Sequence, residues 1–151
     1  MDTASHSDHK SQFTAFLDTQ HRGEYDQQIR EMAKAADGRT SQRLLVSVND
    51  VRQFDPKLAT QLLRQPLRFL APWTEVVTER VQHATGKKNT SESISLAART
   101  HLGFVGTFGS HHVSPRELRA SQLGTMVCVE GVITRCSITR PKVVRSVHWC
   151  A

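Results

Sequence analysis

Along this chain the apolar residues keep a helical period at first and an alternating one near the end. That switch limits the fold more than any other feature. From Ser11, Phe13, Phe16 and Leu17 fall at i, i+3 and i+4, and Tyr25, Ile29, Met32, Ala33 and Ala36 continue one face, the spacing of an amphipathic helix. Gly23 sits inside the pattern as a candidate interruption, and Asp37 with Gly38 supplies a stop, glycine being suited to a left-handed C-terminal cap. Residues 44–48 are a short apolar β-prone stretch ending at Asn49 and Asp50. Asp55 followed by Pro56 then marks a second start, an N-cap acid before a proline at the first helical position. Leu58, Ala59, Leu62 and Leu63 form that helix's apolar stripe, and Pro66 ends or kinks it. A further periodic segment runs through Leu70, Trp73, Val77 and Val81, with Pro72 near its start and Gly86 at its end.

After His101 the character changes. Gly103, Gly106 and Gly109 lie three residues apart in a stretch rich in Phe and Val, and their spacing reads as structural turns. Ser114, Pro115 and Glu117 predict a short capped turn of helix, with Ser as N-cap, Pro at N1 and Glu at N3. From Thr125 the pattern is that of a strand, with Val127, Val129, Gly131 and Ile133 alternating with Met126, Cys128, Glu130 and Val132. Gly131 predicts a bulge or sharp bend there. Pro141 lies in a connection, and residues 143–150 read as a second strand. Cys128 and Cys136 fall on one side of the first strand and are expected in the core. Helices first and strands last define an α+β chain.

Composition excludes several classes. The 151 residues carry 20 Lys and Arg against 14 Asp and Glu, a formal charge of +6. From Arg116 onward six basic residues face only Glu117 and Glu130, and no acid follows Glu130. An acid-free basic region of strand character suits an anionic partner, nucleic acid being the commonest. No run reaches the length of a membrane span, and the polar N-terminus lacks the apolar stretch of a secretory signal. Three cysteines make no disulfide framework. Residues 1–10 read as a disordered tail. The chain stops at Ala151 directly after a run that reads as the middle of a strand, which predicts a fragment or a truncated gene model.

Catalytic signatures are missing from the sequence. Gly86 and Lys87 are followed by Lys88 where a phosphate-binding loop needs Ser or Thr. The cysteines form no Cys-x-x-Cys pair of the kind that holds zinc, and His111 with His112 read as solvated loop residues. No nucleophile elbow occurs.

Residues 109–118 (GSHHVSPREL) and 127–137 (VCVEGVITRCS) resemble the N-terminal region of the minichromosome maintenance (MCM) helicase family. The run at 140–150 (RPKVVRSVHWC) looks most like the third subunit of the eukaryotic six-subunit ring. Val48, Asn49, Asp50 and Val51, with Leu58, Ala59, Leu62 and Leu63, resemble the same family's helical subdomain. The resemblance implies a helical subdomain over residues 11–113, then from residue 114 to 151 the first two strands of an incomplete OB-fold, a five-stranded barrel that binds nucleic acid. It implies a DNA-binding and ring-assembly region of a replicative helicase subunit acting in replication licensing, initiation and fork unwinding. The partners implied are other MCM subunits in a hetero-hexameric ring and single- or double-stranded DNA in its channel, in the nucleus. ATP and magnesium would belong to a downstream domain. Cys150 occupies the first ligand position of the family's zinc module, which is degenerate in the third subunit. Arg135, Arg140, Lys142 and Arg145 are the residues expected to contact phosphates, giving affinity and salt dependence without sequence preference. The competing expectation is a free-standing single-strand-binding OB module.

Overall fold

Phe13 and Trp73 stack face to face, with ring centroids 4.3 Å apart and planes 11° from parallel, and the core is built around that pair. The computed structural model describes residues 3–19, 22–34, 42–86 and 100–141, together with Ser146 and Trp149. Helices α1 (Thr3–Thr19) and α2 (Arg22–Lys34) pack on a long later helix, α5 (Pro66–Thr85). Phe13, Phe16 and Leu17 of α1 and Tyr25, Ile29 and Met32 of α2 are buried, the faces that the sequence spacing predicts. Gly23, the candidate interruption, lies in the first turn of α2. Asp37 and Gly38 lie outside the described residues.

The expected disordered tail is helical from Thr3 onward. Its sequence is too polar to show a hydrophobic period, but polar and ring contacts with α5 hold it. His9 lies over Phe69, centroids 4.4 Å apart. His6 approaches Glu75 at 3.5 Å, and Lys10 reaches both Glu75 and Glu79. Further along, Arg80 of α5 pairs with Asp18 of α1 at 2.7 Å and Asp26 of α2 at 3.8 Å.

Strand β1 (Gln42–Ser47) fulfils the β-prone reading of residues 44–48 except at its end, where Val48 already begins helix α3 (Val48–Phe54). Ser47 is the N-cap, its hydroxyl accepting from the Asp50 amide. Such a cap satisfies one of the amides orphaned at a helix start. β1 pairs in parallel with β2 (Thr100–Val105), Gln42 opposite Thr100 through Ser47 opposite Val105. Parallel pairing requires a long crossover, and α3, α4 (Pro56–Arg64) and α5 lie within it. Leu44 and Val46 are fully buried while Leu45 is 44 % exposed, the two-residue alternation of a half-buried strand.

The helix starts follow the sequence closely. Asp55 caps α4 by accepting from the Lys57 amide at 2.8 Å, with Pro56 at the first position. Leu58, Ala59, Leu62 and Leu63 form its buried stripe. Pro66 opens α5, and Gly86 closes it at φ +70°, a left-handed conformation that glycine adopts without steric cost.

The C-terminal part carries less regular structure than expected. β3 (His112–Val113) and β4 (Cys128–Val129) pair in parallel over two residues. Residues 130–141 form no strand, and Val132, Ile133 and Ile138 are 90 %, 81 % and 88 % exposed. A β-prone sequence gains strand structure only from a paired neighbour, and no described segment pairs with this one. For the same reason Cys136 is exposed rather than in the core, whereas Cys128 is half-buried. The second strand expected at 143–150 lies almost wholly outside the described residues. The architecture is α+β: a helical part crossed by the parallel β1–β2 pair, then the short strands β3 and β4.

Candidate nucleic-acid interface

A backbone hydrogen bond ties the basic C-terminal segment to the helical part. The Met126 amide donates to the Leu63 carbonyl at 2.8 Å, and Phe108 packs with Val48 and Leu63 beside Met126 and Cys128 in a small second cluster. Leu63 is next to the last residue of α4, so its carbonyl is one of those left without an intrahelical partner. The segment's own amide satisfies it.

The turns that follow are fixed locally. Ser114 and Glu117 form the predicted capping box, the Ser114 amide donating to Glu117 Oε2 at 2.8 Å. The Ser114 amide and hydroxyl both hold the Glu117 carboxyl below the usual carboxylate range. The Glu130 amide donates to the Val113 carbonyl at 3.3 Å, and His112 Nε2 meets Glu130 Oε2 at 3.0 Å. Pro115 lies close over Gly131: a β-carbon there would fall 3.1 Å from Pro115 Cγ. Gly131, predicted as a bend, is therefore also a point of close approach.

Residues 132–141 are exposed. Arg135 and Arg140 both lie among them, accessible to a ligand and outside any strand. Neither side chain makes a hydrogen bond or ion pair among the described residues. Lys142, Arg145 and Cys150 lie outside the described residues. The described residues bring no three of His, Cys, Asp and Glu together as metal ligands would be.

A second polar junction, not visible in the sequence pattern, ties α2, the end of β1, α3 and the turn after β2 together. The Tyr25 hydroxyl accepts from the Ser47 amide at 3.1 Å and donates to Asp50 Oδ2 at 2.7 Å. Burial raises the Tyr25 hydroxyl well above the ordinary phenol value; the Ser47 amide opposes the shift and the Asp50 carboxylate adds to it. Arg52 donates from Nη1 to Asn49 Oδ1 at 2.9 Å and from Nη2 to the Thr107 carbonyl at 3.0 Å. Gly106 makes that reach feasible. Its φ is +103°, and a β-carbon there would meet the Asn49 amide nitrogen at 3.3 Å. The Tyr25–Ser47 and Arg52–Thr107 partners stand 22 and 55 residues apart in sequence, so no local spacing could have announced them.

The model of the MCM N-terminal domain matches residues 10–106 and that of the MCM OB domain residues 112–151. The chain belongs to the MCM family. It is 39 % identical over 143 residues to the DNA replication licensing factor MCM3 of Oryza sativa subsp. indica, covering 94 % of this chain and 17 % of that protein. It is 40 % identical over 142 residues to the maternal DNA replication licensing factor mcm3 of Xenopus laevis, covering 92 % and 16 %. The chain thus spans about a sixth of the length of these relatives. The crystal structure of the N-terminal domain of an archaeal MCM superposes with a TM-score of 0.65 over 86 % of this chain and 48 % of that one, at 16 % identity. That likeness is one of fold.

Proposed function

We propose that the chain is the N-terminal DNA-contacting and ring-assembly region of a replicative helicase subunit of the MCM3 type. It acts in replication licensing, initiation and fork unwinding, in the nucleus. The observation that supports this most is similarity to MCM3 proteins along 94 % of the chain, with the helical and OB family models matching in order. The other subunits of a hetero-hexameric ring are its partners, and single- or double-stranded DNA in the ring channel is its ligand. Nucleotide hydrolysis falls to a part of the subunit other than these residues, with ATP and magnesium as its cofactors.

Arg135, Arg140, Lys142 and Arg145 supply phosphate contacts in this reading. The first two are exposed and lie in residues 131–141, which form no strand, where a strand of DNA can approach without displacing packed side chains. Guanidinium groups suit phosphate because their planar fork donates two parallel hydrogen bonds. Cys150 stands as one thiolate of the four ligands that a structural zinc needs, so no step of this reading depends on a metal.

Salt titration of oligonucleotide binding tests the assignment. Removing one phosphate contact lowers the slope of log K against log salt by about 0.7 to 0.9. Arg135→Ala with Arg140→Ala is expected to lower the slope by about 1.5 and weaken binding to all sequences alike. An unchanged affinity and slope would remove both residues from the interface.

A further inference from the structure

Helix α4 presents a second basic face, and its cations make no ion pair or side-chain hydrogen bond among the described residues. Lys57, Thr60, Gln61 and Arg64 recur at i, i+3, i+4 and i+7 and are all exposed, and Arg68 follows, exposed, in the first turn of α5. The opposite stripe of α4 is buried, so this face cannot turn inward. From residue 56 to 74 the chain contains no acid. Asp55 precedes the run, and its carboxylate caps α4 through the Lys57 amide.

The contrast with other cations is sharp. Lys10 is paired with Glu75 and Glu79, Arg80 with Asp18 and Asp26, and Arg52 donates to Asn49 and Thr107. The Lys57, Arg64 and Arg68 side chains make no hydrogen bond or ion pair among the described residues. Like charges held on one face repel each other, and a polyanion relieves that repulsion. Lys57 and Arg64 stand seven residues apart, about 10 Å along the helix axis. That is too far to clamp one phosphate and suited to successive phosphates of a strand. A protein partner would need an apolar centre to bury, and Leu67 is the sole large apolar side chain exposed between residues 56 and 74.

We infer that the α4 face, with Arg68, binds the sugar-phosphate backbone of a nucleic acid and extends the interface assigned to Arg135 and Arg140. The two parts adjoin: Leu63, beside Arg64, accepts the Met126 amide that anchors the C-terminal segment. The inference rests on the proposed function and adds a second, independently placed set of contacts. Their binding is insensitive to base sequence, because the groups reach phosphates alone.

The test uses the full chain and a fluorescein-labelled oligonucleotide, single-stranded and as a duplex, with anisotropy followed across a salt series. Lys57→Gln, Arg64→Gln and Arg68→Gln together should weaken binding about tenfold or more and lower the salt slope by about 2 to 3. Arg64→Lys with Arg68→Lys keeps the charges and should keep the slope. All three positions are exposed, and unchanged helical circular dichroism confirms the fold of each variant. Full affinity and slope in the triple glutamine variant, with weakened binding in Arg135→Ala/Arg140→Ala, overturns the α4 site and leaves the proposed function standing. Wild-type protein that binds neither oligonucleotide overturns both. Polyglutamate bound through the same three residues, with DNA binding untouched, also overturns the site, in favour of an acidic protein partner.

Discussion

Replacing Tyr25 with Phe removes one hydroxyl and two hydrogen bonds while leaving the ring in its buried place. The residue is 3 % exposed, so packing is conserved and the loss is confined to polar terms. The Ser47 amide, which donates to the hydroxyl at 3.1 Å, loses its acceptor, and Asp50 loses a donor at 2.7 Å. A buried donor left unsatisfied costs about 1–3 kcal/mol, and a hydrogen bond to a charged acceptor contributes about 1.5–3 kcal/mol. Part of that second contribution returns as water reaches Asp50, so the expected destabilisation is about 2–3 kcal/mol. For a chain of this size it corresponds to a fall in Tm of roughly 5–10 °C. The pH dependence gives an independent check. Burial raises the folded-state pKa of Tyr25, whereas the unfolded phenol ionises near pH 10. The unfolded state therefore binds fewer protons above about pH 10, and stability falls as pH rises there. The contribution is complete below that pH. Lys10, raised by its hydrogen bond to Glu75 and by the nearby carboxylates, acts with the same sign, so the informative quantity is the difference between wild type and Tyr25→Phe. The variant should show a shallower alkaline decline in a urea-denaturation series from about pH 8 to 11. A Tm within about 1 °C of wild type, with an identical alkaline limb, would refute the reasoning.

Phe13→Ala removes the ring stacked on Trp73 from a fully buried site and is expected to cost about 3–5 kcal/mol in urea denaturation; a loss below about 1 kcal/mol would show that the pair is peripheral to the core. Brief trypsin treatment should cut after Arg135 before any site within α1, α2, α4 or α5, since residues 132–141 are exposed and form no strand. Arg140, followed by Pro141, resists. Mass spectrometry of early fragments reads the order, and equal rates across the helices and residue 135 would contradict the fold.

The helices are legible in the sequence because their signals are local. Asp55 and Pro56 mark α4, Ser114 and Glu117 mark the capping box, and Gly86 ends α5. The buried faces of α1, α2 and α4 follow from residue spacing alone. The first turns of α1 are hidden because polar contacts with Glu75 and Glu79 leave no hydrophobic period. β2 is hidden because its glycine at 103 reads as a turn, while its pairing with β1 is non-local. The expectation of an extended strand after Thr125 fails beyond Val129 because alternation records a preference for a paired, half-buried surface, and the described residues supply no partner there. Of the residues proposed to contact phosphates, Arg135 and Arg140 are legible as charges in an acid-free run. The cations of the α4 face are interleaved with its apolar stripe and stand out only once the helix is wound.

Assembly with neighbouring subunits is the decisive measurement for the proposed role. The full chain, tagged and co-expressed with the other subunits of an MCM ring, should carry neighbouring subunits through affinity capture and gel filtration. Stoichiometric recovery of at least one neighbour at physiological salt is expected. Elution of the chain alone, with helical circular dichroism intact, would contradict its place in the ring.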